Sequence, residues 1–382
     1  MSNAGALEGL TVLDLSRLLP GPYCSMILAD HGARVIAVED KKFLDDGLFL
    51  NLINRNKEHI SLNLKAEEGK QIFFQLAKKA DILIEQFRPG VVDRLGVDYE
   101  SVKAINPEII YCSITGYGQT GPYRDRAGHD ANYLSIAGVL DLIGEKDLPP
   151  SIPGVQIADI AGGGMSAAIG ILLALQSRER TGKGQYIDIS MTDAMASFLP
   201  VALFFQQLTG QFPERANGFL SHRYACYNTY ETADGKYLSI GAVENRFWKV
   251  LCEKLNVPEY IPLQYDEKRR QEILDFIRNA FKTKTLSEWE DILGEHDICW
   301  APVKSVSEAI QDPQMRAREM FIKVEDGNGN QTTTIGVPIK LSNTPGSIRR
   351  MPDSFGQSTK SVLKEFGYTD EKIKMLAEKG VI

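Results

Sequence analysis

The stretch that decides the fold is Leu10–Glu39, which reads LTVLDLSRLLPGPYCSMILADHGARVIAVE. It begins with a β-rich run, Leu10–Leu15, and a Pro-Gly-Pro turn then opens a segment typical of a helix. A second β-rich run, Arg34–Glu39, closes the stretch. A strand, a helix and another strand in succession indicate parallel strands joined by a crossover helix. The sequence therefore predicts an α/β protein built on a parallel sheet.

The same alternation continues towards residue 208. Further strands are predicted at Ala80–Phe87, Glu108–Thr115 and Gln185–Ser190, and helices at Glu67–Lys79, Asp98–Ile105, Ala161–Ser177 and Thr192–Leu208. The turn after the first strand, SRLLPGPYC, lacks the GxGxxG pattern that cradles a dinucleotide pyrophosphate. A nicotinamide or flavin enzyme is therefore disfavoured.

Near Asn217 the alternation of predicted strands and helices gives way to a hairpin followed by helices, which predicts a smaller α+β domain. The predicted elements are a hairpin, Tyr227–Glu231 and Tyr237–Val243; helices at Asn245–Leu255, Glu267–Phe281 and Ser287–Leu293; and strands at Cys299–Val303, Phe321–Val324 and Gln331–Leu341. Ser287 and Glu290 have the spacing of a helix capping box. Asp326–Gly329 predicts a turn, Asn343–Pro352 a linker, and Thr369–Lys379 a final helix.

Composition narrows the class of protein. A length of 382 residues favours two domains, and a net charge of −7 argues against a general binder of nucleic acid or anionic membranes. The five cysteines are scattered without a CxxC pair, which favours buried thiols in a reducing compartment over disulfides or zinc. No apolar run approaches the ~20 residues of a membrane span. We therefore expect a cytoplasmic enzyme or binding protein, with no membrane or nucleic-acid partner.

One histidine and one aspartate stand out in residues 126–164, RAGHDANYLSIAGVLDLIGEKDLPPSIPGVQIADIAGGG. His129 and Asp159 each precede a stretch with the pattern of a helix. Such a pair can transfer protons, because both groups can titrate near working pH once their surroundings shift their pKa values. Asp159 can equally be an ordinary helix cap. The glycines after it, Gly162–Gly164, would let a ligand approach the backbone.

Other charged residues are weaker candidates. Glu244 ends a predicted strand, where it could cap a helix or orient a histidine. Arg88 and Arg94 follow the predicted strand Ala80–Phe87, at the sheet edge where open α/β sheets bind ligands. Four lysines in neighbouring segments are compatible with a phosphate pocket: Lys41, Lys42, Lys57 and Lys65.

At these residues the chain resembles the family III CoA-transferases (the CaiB/BaiF group), and within that family its α-methylacyl-CoA racemase branch. The likeness runs nearly end to end and is carried by several long motifs: PGPYCSMILADHGARVI, FRPGVVDRLG, ITGYGQTGPYRDRAGHDANYLSIAGVL, ADIAGGG, RTGKGQYIDISM and YNTYETADGKYLSIGAVENRF. Together these motifs are far more specific than a single short pattern.

The resemblance implies a particular architecture. Residues 1–200 would form a large Rossmann-like domain joined by residues 343–382, and residues 217–342 a small α+β domain after a linker helix at 201–216. Two chains would interlock as a homodimer, with the active site between domains of two subunits. No metal and no cofactor besides the coenzyme A thioester substrate is implied.

The resemblance also implies roles for individual residues. His129 and Asp159 would remove and return a proton at the α-carbon of a 2-methylacyl-CoA, and Glu244 would orient the imidazole. CoA would lie along a set of binding residues: Leu64, Lys65, Arg88, Arg94, Gly128, Asp130 and Tyr133. The family's CoA-binding arginine after the second strand is replaced here by Asp40, and the neighbouring Lys41 is its candidate substitute.

Two other functions remain open. In the family's transferases the residue matching Asp159 attacks an acyl-CoA and carries CoA between carboxylic acids. Three features favour a racemase: His129, Leu19, and the motif GAVENRF, which stands where the transferases carry a mobile glycine run. The same motif also counts against a racemase, because it departs from the GA[IV]EPQF of the family's racemases. A non-catalytic acyl-CoA-binding protein is disfavoured because all three candidate catalytic side chains are present.

Overall fold

A computed structural model describes residues 5–44, 51–325 and 331–382 of the chain. The described residues form two compact units: Met1–Val139, Pro153–Phe198 and Pro313–Ile382 make up the first, and Leu140–Ile152 and Leu199–Asp312 the second. Residues 313–342 thus group with the first unit, although the sequence assigns them to the small domain. One reason is that Arg55, in the first unit, donates a hydrogen bond to the carbonyl of Ile335.

In the part of the chain that the structure describes, six parallel strands form the sheet of the first unit, in the order β3-β2-β1-β4-β5-β6. They are β1 (Thr11–Asp14), β2 (Arg34–Glu39), β3 (Lys57–Ser61), β4 (Ile82–Glu85), β5 (Ile110–Thr115) and β6 (Gln185–Ser190). Leu13 of the central β1 lies opposite Ile36 on one side and Leu83 on the other. This order is that of a Rossmann sheet. The predicted parallel α/β fold is confirmed.

Helices connect these strands. They are α1 (Pro20–Asp30), α2 (Glu67–Ala77), α3 (Val91–Leu95), α4 (Tyr99–Lys103), α5 (Asp130–Ile136), α6 (Ser166–Thr181) and α7 (Met191–Ala196). Pro20 begins α1, where its fixed φ suits the first turn and its missing N–H costs nothing. A π-helix, Ala158–Met165, runs directly into α6. The predicted helix Ala161–Ser177 therefore begins earlier and differs in its first two turns.

The predicted helix Thr192–Leu208 is wrong, because two helices occupy this stretch. The second of them is α8 (Pro200–Thr209), in the second unit. Pro200 has no backbone N–H to continue the hydrogen bonding of α7, so the helix breaks before it.

The π-helix and α6 together form one apolar helical stretch, Ala158–Thr181. It spans 24 residues, reaches a mean hydropathy of 1.7 in an 18-residue window, and has 44% of that window buried within the chain. By length and composition alone it is long and apolar enough to cross a membrane. The expectation that no apolar run approaches that length is therefore wrong.

The second unit contains a three-stranded antiparallel sheet of β7 (Tyr227–Glu231), β8 (Tyr237–Gly241) and β9 (Trp300–Pro302). Its other helices are α9 (Asn245–Lys254), α10 (Arg270–Phe281), α11 (Leu286–Leu293) and α12 (Val306–Gln311). Trp248, Phe281 and Trp289 are buried in its core. The capping box of α11 is formed by Thr285 and Glu288, two residues before the predicted pair, because Thr285 has the extended backbone of an N-cap.

The chain returns to the first unit through α13 (Pro313–Ala317), the antiparallel pair β10 (Phe321–Glu325) and β11 (Gln331–Ile335), α14 (Thr359–Glu365) and α15 (Asp370–Glu378). β11 is shorter than predicted, since Gly336 and Pro338 follow it. The predicted turn at Asp326–Gly329 lies outside the described residues. Val362 of α14 and Leu376 of α15 pack into the core around the parallel sheet.

Candidate active site

A cavity of about 490 Å³ lies at the carboxyl ends of β1, β2 and β4. This is the edge of an open parallel sheet where ligands bind, because the loops that follow the strands leave a crevice there. Its lining includes Asp14, Ser16, Arg17, Pro22, Glu39, Asp40, Lys42, Phe43, Asn54, Leu64, Lys65 and Arg88. The mixture of apolar and cationic side chains suits a ligand with both apolar and phosphorylated parts.

Three of the seven predicted CoA-binding residues, Leu64, Lys65 and Arg88, line this cavity. The other four, Arg94, Gly128, Asp130 and Tyr133, are not among its lining residues. The structure therefore places three of the predicted residues at the cavity, three (Gly128, Asp130 and Tyr133) next to His129 in sequence, and Arg94 in α3.

Arg17, Lys42 and Phe43 line the cavity and are missing from the predicted set. The Arg17 guanidinium carbon lies 3.8 Å from the centre of the Phe43 ring, and the Lys42 ammonium 4.3 Å from it. Lys41, the candidate substitute for the family's arginine, instead donates a hydrogen bond to the carbonyl oxygen of Ile382 at 2.5 Å. Lys42 therefore replaces Lys41 as the cation at the cavity. Its place directly after β2, at the ligand-binding edge, was the available sequence signal.

His129 is the N-cap residue of α5 and is exposed. Its backbone N–H donates to the side-chain oxygen of Asn132 at 3.0 Å, which stabilises the first turn of the helix. The next residue, Asp130, is buried. The loop thus presents an imidazole to solvent beside a buried carboxylate.

Asp159 lies in the first turn of the π-helix, whose N-cap is Ile157, so the cap interpretation is wrong. Its backbone N–H donates to Asp130 Oδ1 at 2.9 Å. Burial and the negative charge of Asp130 raise the pKa of the Asp159 carboxyl to about 6, and the positive charge of His129 opposes this. The structure therefore brings His129, Asp130 and Asp159 into one electrostatic cluster.

Tyr133 links this cluster to the cavity. Its ring packs so closely against Gly128 that a Cβ at that glycine would lie 2.7 Å from the ring. Its hydroxyl donates a hydrogen bond to the Gly128 carbonyl. Burial and the Asp159 charge raise the pKa of Tyr133, whereas the charge of Arg88 lowers it. Tyr133 is therefore within electrostatic reach both of the cavity arginine and of Asp159.

The glycine run after Asp159 serves close packing of helices and does not open the backbone to a ligand. Gly162, Gly163 and Gly164 are buried. A Cβ at Gly163 would lie 2.5 Å from Pro20 Cβ, and one at Gly164 would lie 3.1 Å from the Pro20 carbonyl oxygen. The ligand-approach interpretation of these glycines is wrong, because α7 occupies the space beside Gly162 and Gly163 and α1 occupies the space beside Gly163 and Gly164.

Glu244 is the N-cap residue of α9 in the second unit, and its side chain is exposed. It does not accept a capping hydrogen bond. Its predicted action on the His129 imidazole stays a prediction. Among the residues that the structure describes, no group of three or more His, Cys, Asp or Glu side chains could hold a metal ion.

Comparison with known proteins identifies the family. The profile of CoA-transferase family III matches residues 7–359. The human alpha-methylacyl-CoA racemase is 36% identical over 380 residues, covering 99% of this chain and 97% of that protein. The acetyl-CoA:oxalate CoA-transferase of Acetobacter aceti is also 36% identical, over 358 residues, covering 88% of this chain and 90% of its own length.

A solved structure gives the same result. A CaiB/BaiF family protein from Brucella suis superposes with a TM-score of 0.82 at 31% identity, covering 95% of this chain and 99% of that one. Racemases and transferases match at similar identity, so the identities establish the family but do not distinguish between its activities. The chain belongs to CoA-transferase family III.

Proposed function

We propose that this protein is a racemase that interconverts the (R)- and (S)-enantiomers of 2-methylacyl-CoA thioesters. The observation that carries the proposal is the electrostatic cluster of His129 and Asp159, a carboxyl whose pKa burial raises to about 6. An imidazole and a carboxyl are both side chains that can take a proton from carbon and return one, which is what the two faces of the α-carbon require.

Each turnover moves one proton off the α-carbon and one proton onto it. One base takes the α-proton from one face of the carbon, and the electron pair of the C–H bond delocalises into the thioester carbonyl as an enolate. The conjugate acid of the other base then donates a proton to the opposite face. The pair of bases holds one proton before turnover and one after it, first on the base that donates and then on the base that has taken the α-proton, which is the state that the reverse direction requires.

The cavity takes the CoA part of the substrate in this proposal. Arg88, Lys65 and Lys42 supply positive charge for its phosphates, and Leu64 supplies apolar contact. The charges of both Arg88 and Asp159 act on Tyr133, which supports a thioester that reaches from the cavity to the bases. Glu244 is the proposed partner that orients the His129 imidazole.

The alternative function is transfer of CoA between carboxylic acids. It is favoured by relatives such as the human succinyl-CoA:glutarate CoA-transferase, 31% identical over 401 residues. In that reaction the Asp159 carboxylate attacks the thioester carbonyl, CoA leaves as a thiolate, and a mixed anhydride remains on the protein. The same side chain therefore either moves a proton or forms a bond.

Hydroxylamine distinguishes these two roles. A wild-type protein incubated with a 2-methylacyl-CoA and hydroxylamine should keep its activity, and peptide mass spectrometry should find Asp159 unmodified. A hydroxamate at Asp159, together with CoA appearing on an added second acid, would contradict the racemase and establish the transferase. Asp159→Asn provides the control for modification at other carboxyls.

A further inference from the structure

A lysine that the proposed mechanism does not use is fully buried behind the cavity. Lys57, at the start of β3, has no exposed side-chain surface. Its ammonium donates to the Pro22 carbonyl at 2.9 Å and to Asn54 Oδ1 at 3.1 Å, and it lies 3.7 Å from Asp14 Oδ2. A buried ammonium is costly unless such partners compensate it. The sequence-based placement of Lys57 in a phosphate pocket is therefore wrong.

All three partners of Lys57 line the cavity, whereas Lys57 itself does not. Asp14 ends β1, Pro22 lies in the first turn of α1, and Asn54 lies just before β3. Asp14 also accepts hydrogen bonds from the Ser16 backbone at 2.9 Å and from the Ser25 hydroxyl. One ammonium thus ties together three segments of the cavity wall.

The same turn of α1 supports the helix that carries Asp159. A Cβ added at Gly163 would meet Pro20, and one added at Gly164 would meet Tyr23 and Pro20, two residues that flank the carbonyl that Lys57 holds. A shift of this turn would therefore move the cavity wall and the support of Asp159 together.

Arg55, two residues before Lys57, anchors the other end of α1. It is also buried, and its guanidinium pairs with Asp30 at 2.6 Å. It donates in addition to Thr334 Oγ1 at 3.4 Å. Neither partner lines the cavity. Two buried cations of similar depth thus hold opposite ends of one helix, and only Lys57 touches the cavity wall.

We propose that Lys57 is a positioning residue, which holds the first turn of α1 as a shared support for the CoA cavity and for the Asp159 helix. The inference rests on the proposed function in one respect, that the ligand of the cavity is a CoA thioester. Lys57 acts through Pro22, Asn54 and Asp14 and does not touch the substrate.

The test compares Lys57→Met with Arg55→Met. Both variants remove one buried cation, and both should lower the melting temperature. CoA affinity is measured by calorimetry at a temperature where circular dichroism shows each variant folded. Lys57→Met should bind CoA at least about tenfold more weakly, because three segments of the cavity wall lose the ammonium that positions them, whereas Arg55→Met should stay within about twofold of wild type. For the reaction that the wild-type protein catalyses, kcat should fall in Lys57→Met and should not fall in Arg55→Met.

Folded Lys57→Met that binds CoA within twofold of wild type would overturn the inference. An equal loss of CoA affinity in both variants would also overturn it. If Lys57→Met does not fold, Asp14→Asn/Lys57→Met removes the uncompensated charge, because neutralising both members of a buried pair is better tolerated than removing one. That double variant should recover stability without recovering CoA affinity, and recovery of both would overturn the inference. Failure of the wild-type protein to bind CoA would instead contradict the proposed function.

Discussion

The pKa of the Asp159 carboxyl is set by its surroundings. An aspartate is ordinarily ionised well below neutral pH, and here partial burial beside Asp130 raises its pKa to about 6. The same arrangement that makes the carboxyl useful for proton transfer opposes its ionisation in the folded protein. A cost in stability should therefore accompany the proposed function.

Asp159→Asn should stabilise the protein at pH 7. The ordinary pKa of 3.8 applies to the unfolded chain and the raised value to the folded one, so the ionised carboxyl favours unfolding above about pH 6. A fully buried group with this difference would cost at most about 3 kcal/mol. Because the side chain is partly exposed, screening by solvent reduces the expected gain on substitution to about 1 kcal/mol. Urea unfolding at pH 7 measures it.

The gain in the free energy of unfolding should shrink as the pH falls from 6 towards 4. In this range the wild-type carboxyl is protonated in the folded state but still ionised in the unfolded chain, so its cost to the folded protein disappears. Asp125→Asn is the matched control, since it removes the same charge from an exposed position. A variant Asp159→Asn less stable than wild type at pH 7 would contradict the electrostatic account of this residue.

No sequence pattern predicted the π-helix. A helix near Asp159 was predicted correctly in kind, because apolar residues and a following Gly run are visible in the sequence. Its wide first turns depend on contacts with α1 and α7, which are distant in sequence. π-helical segments occur often at functional sites. The glycines are explained only by these tertiary contacts, so the sequence suggested a ligand where a helix packs.

Gly163→Ala should destabilise the protein by about 1–3 kcal/mol, the usual cost of forcing an extra carbon into a packed interior. The added Cβ would lie 2.5 Å from Pro20 Cβ, a distance that requires α1 or the π-helix to move. Thermal unfolding measures the effect, and proton-transfer activity should fall with it. Gly154→Ala is the control, because nothing lies within 4 Å of its added carbon. Equal melting temperatures for both variants would contradict the packing role.

At the scale of the whole molecule, the parallel sheet of the first unit was predictable from the sequence, whereas the full extent of that unit was not. The βαβ pattern of Leu10–Glu39 is local, and parallel strands joined by helices leave few alternative sheets. The grouping of residues 313–342 with the first unit was not predictable, since it depends on long-range contacts such as Arg55 with Ile335. The cavity could be placed at a sheet edge from sequence, and Lys42 was one of four candidate lysines for a phosphate pocket, whereas Arg17 and Phe43 required coordinates.

We expect the protein to be a homodimer in solution. Ile169, Leu172 and Leu173 form an exposed apolar stripe on one face of α6. Val201, Phe204 and Leu208 form another on α8. Exposed apolar faces of this kind typically mark protein interfaces. Sedimentation equilibrium should give twice the mass of the chain, and Leu173→Asp should shift the mass towards that of one chain. A wild-type monomer, or one that partitions into lipid vesicles, would contradict this expectation.

The central claim is tested most directly by hydrogen exchange at the α-carbon. One enantiomer of a 2-methylacyl-CoA is incubated with the protein in heavy water, and proton NMR follows the α-position while chiral chromatography follows the enantiomers. Deuterium should enter the α-position as the opposite enantiomer appears, and His129→Ala and Asp159→Asn should each abolish the interconversion. The absence of deuterium at the α-carbon, across a series of acyl chain lengths that the wild-type protein binds, would contradict the account.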